Sequence, residues 1–267
     1  MGSLVVLHAH PDDESIQTGG TMAKAAADGH RVTLVIATRG EHGEVVPGVL
    51  DDGEPLGLRR IAETYESAAL LGAHRVEFLG YVDSGMMGEP TNDAPASFWQ
   101  ADVDHAARRL AVILDEEQAD VLTYYDEIGG YGHPDHIQVH RVGRRAGELA
   151  GVPRRYMATM NRDFLVDLIR ARMESGDIDL GDVEAPEIDE ENFGQPAARI
   201  THRVDVSEVI DAKRASMRAH ASQIGEEHFF SALPDEAFAL SFGQEWFIED
   251  DEDGPAGGEP FATDLFG

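Results

Sequence analysis

Short apolar or β-branched runs at Leu4–Leu7, Val32–Ala37, Val76–Leu79, Val121–Tyr124 and Tyr156–Thr159 alternate along the chain with longer segments of helical period. In the latter, apolar residues recur three or four apart over Glu14–Asp28, Leu58–Leu71, Ala101–Glu117, Asp135–Leu149, Asp163–Glu174 and Ser207–Gln223. Strands separated by helix-length crossovers pair in parallel, so this alternation predicts an α/β fold: one Rossmann-like, mostly parallel sheet flanked by helices. Gly29 and Gly72 stop the first two helices, and Ile200–Val206 adds a strand before the last. A chain of 267 residues accommodates one large domain, here 1–248. Within it, Ser175–Gln195 is dominated by Asp, Glu, Gly and Pro and reads as an exposed acidic loop insertion; 249–267 reads as an acidic, mobile tail.

Acidic residues outnumber basic ones by 51 to 21, giving a net charge of -30 that repels phosphate backbones and anionic membrane surfaces. Nucleic acid and membrane are therefore not expected partners. Lys24 and Lys213 are the only lysines, a pattern equally compatible with a high-salt habitat and a GC-rich genome. Without cysteine there is no disulfide, thiolate ligand or cysteine nucleophile, so any metal must be held by histidine and carboxylate. The run Leu4–Leu7 is too short for a signal-peptide core and no stretch approaches a membrane span, which makes the cytoplasm the expected location. The oligomeric state is left open.

Two loops carry the chemistry. The first, H-A-H-P-D-D-E from His8 to Glu14, lies where the first strand gives way to the first helix, at the sheet end where open α/β folds bind ligands. His10 and Asp13 stand three apart across a turn stiffened by Pro11, so both can converge on one cation. Neighbouring side chains diverge there, which sets Asp12 beside the metal, placed to take a proton from water. Alternatively, Asp12 and Asp13 simply cap the helix that follows. The second loop, G-G-Y-G-H-P-D-H from Gly129 to His136, follows Val121–Tyr124 and leads into another helix opened by Pro134. It offers His136 as a third ligand, flanked by His133, suited to donate a hydrogen bond, and Asp135, suited to orient an imidazole. His136 and His140, four apart on one helical face, form a competing ligand pair.

Taken together, the two loops resemble the PIG-L or LmbE-like deacetylase family, which includes mycothiol-pathway deacetylases and conjugate amidases. The resemblance implies that His10, Asp13 and His136 bind zinc and that Asp12 is the general base; whether iron takes the place of zinc is left open. It further implies that His133 and Tyr131 assist the polarised carbonyl and that Asp135 supports a histidine. Similarity to the mycothiol branch extends to T-R-G-E-H-G-E (Thr38–Glu44), R-R-I-A-E (Arg59–Glu63) and V-D-S-G-M (Val82–Met86), and weakly to H-A-S-Q (His220–Gln223). Those runs suggest Glu44, Arg60 and Asp83 as contacts for a sugar-like substrate; plain surface or turn roles remain open for each.

The activity so implied is hydrolysis of an N-acyl, N-acetyl by preference, amide on an amino-sugar-like small molecule, with conjugate amidase and phosphoester hydrolase as rivals. Two histidines and a carboxylate leave zinc positions open for water and carbonyl oxygen. Return of the proton to the leaving amine falls to Asp12 or to His133. A dinucleotide-binding Rossmann domain is disfavoured because the first strand-to-helix turn lacks G-x-G-x-x-G.

Overall fold

The computed structural model describes residues 1–175, 193–225, 227–251 and 257–267, so most of the expected acidic loop at 175–195 lies outside the described residues. Its strands are β1 (Ser3–His8), β2 (Arg31–Ile36), β3 (Arg75–Phe78), β4 (Val121–Tyr125), β5 (Arg154–Thr159), β6 (His202–Asp205) and β7 (Gln244–Glu249). They form one sheet in the order β3-β2-β1-β4-β5-β7-β6. The first five are parallel, and β7 runs antiparallel to both of its neighbours. The mostly parallel α/β sheet is thus as expected, with β7 an addition that the sequence reading did not make.

Strand β1 shows why the apolar runs were continuous. Leu4 and Val6 join the core on one face of the sheet, Val5 and Leu7 that on the other, and all four are fully buried. A strand covered on both faces has no polar side to alternate with. The helices are α1 (Asp13–Gln17), α2 (Gly19–Ala27), α3 (Leu56–Leu70), α4 (Val103–Glu117), α5 (Pro134–Ala150), α6 (Arg162–Ser175), α7 (Ile210–Ala219), α8 (Phe229–Ala232) and α9 (Asp235–Phe242). Val139, Val142 and Ala146 of α5 and Leu110 and Leu114 of α4 fill one core; Met22 and Ala23 of α2 and Ala68 of α3 belong to the other. No helix among the described residues is long and apolar enough to cross a membrane.

Two helices differ from their expected spans for tertiary reasons. The single helix expected over Glu14–Asp28 breaks at Thr18 (φ -133°, ψ 7°), whose hydroxyl meets His8 Nε2 at 2.7 Å. The second piece restarts at Gly19 and Gly20, and the Glu245 carboxylate on β7 accepts the N–H groups of Gly20 and Thr21 at its N-terminus. Gly20 also lets α2 approach closely, because a Cβ there would stand 2.4 Å from Val206. Helix α7 is shorter than expected: it ends where His220 leaves helical geometry to reach Glu14.

The described part of the expected tail lies against the body. Asp250 and Leu265 are buried, Phe266 stacks on His30 with ring centroids 3.7 Å apart, and Phe261 meets Trp246 edge-on. Apolar side chains interspersed among the acids account for this: composition registered the charge, while Phe261, Leu265 and Phe266 supply the attachment.

Lys213 Nζ reaches Glu245 at 2.6 Å with both side chains 1% exposed, tying α7 to the sheet and to α2. Removing one member of such a buried pair strands the other charge. Because two N–H groups would still serve Glu245, Lys213→Met should cost about 3 kcal/mol, the low end of the usual range. Urea unfolding should show the midpoint falling with little change in slope; an unchanged midpoint would mean the pair contributes nothing.

Candidate metal centre and active site

The sheet order places the site. Crossovers from β1 toward β2 and from β4 toward β5 leave in opposite directions, so a crevice opens between the carboxyl ends of β1 and β4. The β1 loop delivers His10, Asp12 and Asp13 to that crevice; the β4 loop delivers Tyr131, His133, Asp135 and His136.

The second loop is built from its backbone outward. Asp126, fully buried at the end of β4, accepts the N–H groups of Ile128 and Gly130 and the Thr159 hydroxyl. Gly129 (φ 65°) packs so tightly on α5 that a Cβ would stand 2.5 Å from that of His136. Its carbonyl lies 3.1 Å from His136 Nδ1, which leaves Nε2 facing the crevice. Pro134 opens α5 behind the N-cap residue His133, whose Nδ1 accepts the Asp135 N–H at 3.1 Å. A His133 ring bonded in this way carries its proton on Nε2.

At the centre, Asp13 Oδ2 lies 3.4 Å from His10 Nδ1 and 3.4 Å from His136 Nε2. A tetrahedral ion with ligands at about 2.0–2.1 Å separates neighbouring ligand atoms by roughly 3.3 Å, a spacing that the two distances from Asp13 match. Charge also fits. Burial opposes protonation of His10, but the carboxylates of Asp13, Asp135 and Asp83 outweigh it and raise its pKa, marking a pocket that favours a cation. His10 Nε2 stands 3.2 Å from Asp135, which in turn takes the Ser84 N–H and hydroxyl. This is the carboxylate–histidine support usual behind a metal ligand.

Other donor groupings occur here. Ligand atoms of His10, His133 and His136 lie within 4.8 Å of one another, as do those of His10, Asp83 and Asp135. In the latter, Asp83 accepts from His42 N and Gly85 N and Asp135 from Ser84, while Asp13 Oδ2 for its part accepts the His10 N–H at 2.9 Å. His140, the alternative partner of His136, directs Nδ1 at the Tyr125 carbonyl, 3.0 Å away. His8, first histidine of the motif, spends both nitrogens on Tyr125 Oη and Thr18 Oγ1, and burial lowers its pKa to about 4.

Asp12 has a different partner from that trio. Its carboxylate meets Arg60 at 3.2 Å, and its backbone holds φ 96°, a left-handed conformation seldom adopted by a residue with a Cβ. Asp12 occupies the N-cap position of α1 but makes no side-chain capping bond, which removes the capping alternative for that residue. Burial raises the Asp12 pKa to about 6; the Arg60 charge pulls it down and the Asp13 charge pushes it up.

The residues suggested as sugar contacts divide. Glu44 is exposed on the loop after β2. Arg60 is only 3% exposed, with its guanidinium donating to the carbonyls of Pro11 and Gly40 as well as to Asp12, so it braces the first loop from beneath. Asp83 is 4% exposed and stands 3.5 Å from His10 Nε2, which makes it a neighbour of the histidine cluster. Tyr131 is half-exposed, its hydroxyl 3.5 Å from His136 Nε2. Sequence reasoning gave no role to Glu14, Ser84 or Asp126, although Glu14 stands within the first motif.

Comparison with known proteins follows the same lines. The pattern of the PIG-L family, described as GlcNAc-PI de-N-acetylase, matches residues 5–147 and so spans both loops. The 1D-myo-inositol 2-acetamido-2-deoxy-alpha-D-glucopyranoside deacetylase of Acidothermus cellulolyticus is 44% identical over 258 residues, covering 92% of this chain and 88% of its own. Among solved structures, N,N'-diacetylchitobiose deacetylase from Pyrococcus horikoshii shares the fold at TM-score 0.57 and 20% identity, covering 92% of this chain and 83% of that one. The 4-carboxy-2-hydroxymuconate hydratase of Pseudomonas putida shares it equally well, at TM-score 0.58 and 20% identity, covering 98% of this chain and 100% of its own. Fold alone therefore does not select the chemistry. The match across both motif loops and the identity over nearly the whole length do: the chain belongs to the PIG-L family of de-N-acetylases.

Proposed function

We propose that this protein is a metal-dependent N-deacetylase acting on an N-acetylglucosaminyl inositol, with zinc held by His10, Asp13 and His136. The observation that carries the reading is the Asp13 carboxylate set 3.4 Å from both imidazoles, with the adjacent carboxylate, Asp12, paired instead with Arg60. The substrate follows from the Acidothermus relative, whose own name specifies a 2-acetamido-2-deoxyglucopyranoside of myo-inositol.

A divalent metal in this site supplies polarisation of the acetyl carbonyl and acidification of water. The protein's own groups do the rest. Asp12 accepts a proton from the attacking water. Its pKa near 6 suits that task, since a carboxylate of ordinary acidity would be a weaker base. His133, its pKa lowered to about 3 chiefly by burial, is neutral, and with Nδ1 accepting the Asp135 N–H it offers its Nε2 proton as a hydrogen bond to the developing oxyanion. Tyr131 lines the same side and can donate through its hydroxyl. A neutral His133 is a poor source of a full proton, so the proton collected by Asp12 is the one returned to the amine as the C–N bond breaks. Asp135 holds His10 in orientation. Glu44, on the exposed loop, contacts the sugar; Arg60 and Asp83 shape the site from below.

Roles divide between the two adjacent aspartates. Asp12→Asn should bind about one zinc per chain like the parent and lose roughly 10²–10⁴-fold in kcat. Asp13→Ala should lose metal affinity, and added zinc should restore little activity. Elemental analysis with turnover of the inositol glycoside, a thiol-conjugate amide and a phosphate ester would check both roles and substrate class. Metal loss in Asp12→Asn with retention in Asp13→Ala would reverse the assignment.

The pH profile gives an independent check. Asp12 must be ionised to act as base, so kcat/KM should be full above its pKa and fall tenfold per unit below it. The limb should lie at or below about pH 6, because a bound cation opposes the upward push of burial. Asp12→Asn should abolish that limb; its persistence would assign it to another group.

A further inference from the structure

Glu14 is fully buried, and among the described residues each hydrogen bond of its carboxylate leads toward Asp12 or braces that connection. Its Oε2 accepts the Asp12 N–H at 3.0 Å. Its Oε1 accepts from Ser67 of α3 at 2.5 Å, from Ser15 at 3.2 Å and from His220 Nε2 at 2.6 Å. His220, from the H-A-S-Q run, is equally buried, and among the described residues its Nδ1 has no hydrogen-bond partner. Among the described residues, the buried imidazole therefore makes one side-chain hydrogen bond, to Glu14. A buried ion pair is a poor way to gain stability, because desolvation of both groups offsets their attraction. Orientation of a neighbour is the better account.

That neighbour is under constraint. The Pro11–Asp12 peptide is gripped at both ends: its carbonyl by the Arg60 guanidinium, its N–H by Glu14. Asp12 itself sits at φ 96°, and strained backbone of this kind persists only where surrounding contacts over-determine it. The same face of α3 supplies the anchors. Arg60, Glu63 and Ser67 are all buried; Glu63 accepts the N–H and hydroxyl of Ser222, two residues after His220.

We propose that Glu14 and His220 are positioning residues for the reaction: seated on Ser67, the pair locks the left-handed turn at Asp12 and so aims its carboxylate away from Asp13 and toward the attacking water. This rests on Asp12 as the general base. Without the lock, the turn relaxes toward ordinary helical geometry, and the two adjacent carboxylates lose their division of direction.

The test is a double-mutant cycle on the zinc-loaded full chain with the inositol glycoside. Glu14→Gln should lower kcat roughly 10- to 100-fold while KM and zinc stoichiometry stay within about twofold. In an Asp12→Asn background, the same substitution should change kcat by no more than about twofold, since no base remains to aim. Ser67→Ala, a gentler cut into the same network, should give a smaller loss that likewise vanishes on Asp12→Asn. It keeps the test open if Glu14→Gln fails to fold. Equal losses in both backgrounds, or no loss from either substitution, would overturn the proposal. Full activity in Asp12→Asn alone would instead remove the base assignment, a result distinct from both.

Discussion

One carboxylate joins the two halves of the site. Asp13 Oδ2 faces His10 from its own loop and His136 from the loop after β4, so the distance between two crossovers of the sheet is set where these three side chains meet. Each imidazole is held by its remaining nitrogen, His10 by Asp135 and His136 by the Gly129 carbonyl. The carbonyl is fixed in turn by a glycine turn that Asp126 ties down through backbone N–H groups. Rigid backbone contacts thus reach the centre from both sides, which is what a site needs if its ligands are to be preorganised.

The charge balance around this centre has a physical logic. Asp13, Asp83 and Asp135 gather about His10, an excess of buried anionic groups that would be costly without a cation. Asp12 is kept out of that gathering by Arg60, which also braces the loop backbone. Separate surroundings therefore give two neighbouring aspartates opposite properties: the pKa of Asp13 is driven down by the nearby imidazoles against the effect of burial, whereas that of Asp12 is driven up by burial.

Much of this was legible in the sequence, for identifiable reasons. The parallel strands stood out because burial on both faces makes them unbroken apolar runs, as in Leu4–Leu7. The two loops stood out because their histidines, carboxylates and glycines cluster at strand ends. What escaped depends on contacts between distant residues. Thr18 breaks a helix because His8 takes its hydroxyl and Glu245, on the unforeseen strand β7, caps the next piece. Arg60 looked like a surface or substrate residue because nothing local says that α3 buries its polar stripe against the first motif. Glu14 was visible in that motif, but its partners Ser67 and His220 lie 53 and 206 residues away.

The central claim is that His10, Asp13 and His136 together hold one metal at the crevice between β1 and β4. Anomalous diffraction at the zinc absorption edge, from crystals of the zinc-loaded protein, tests it most directly. The account predicts one strong peak in contact with His10 Nδ1, Asp13 Oδ2 and His136 Nε2, with His133 and Asp12 outside coordination distance. A peak ligated by His133 in place of Asp13, or seated between Asp83 and Asp135, would contradict it.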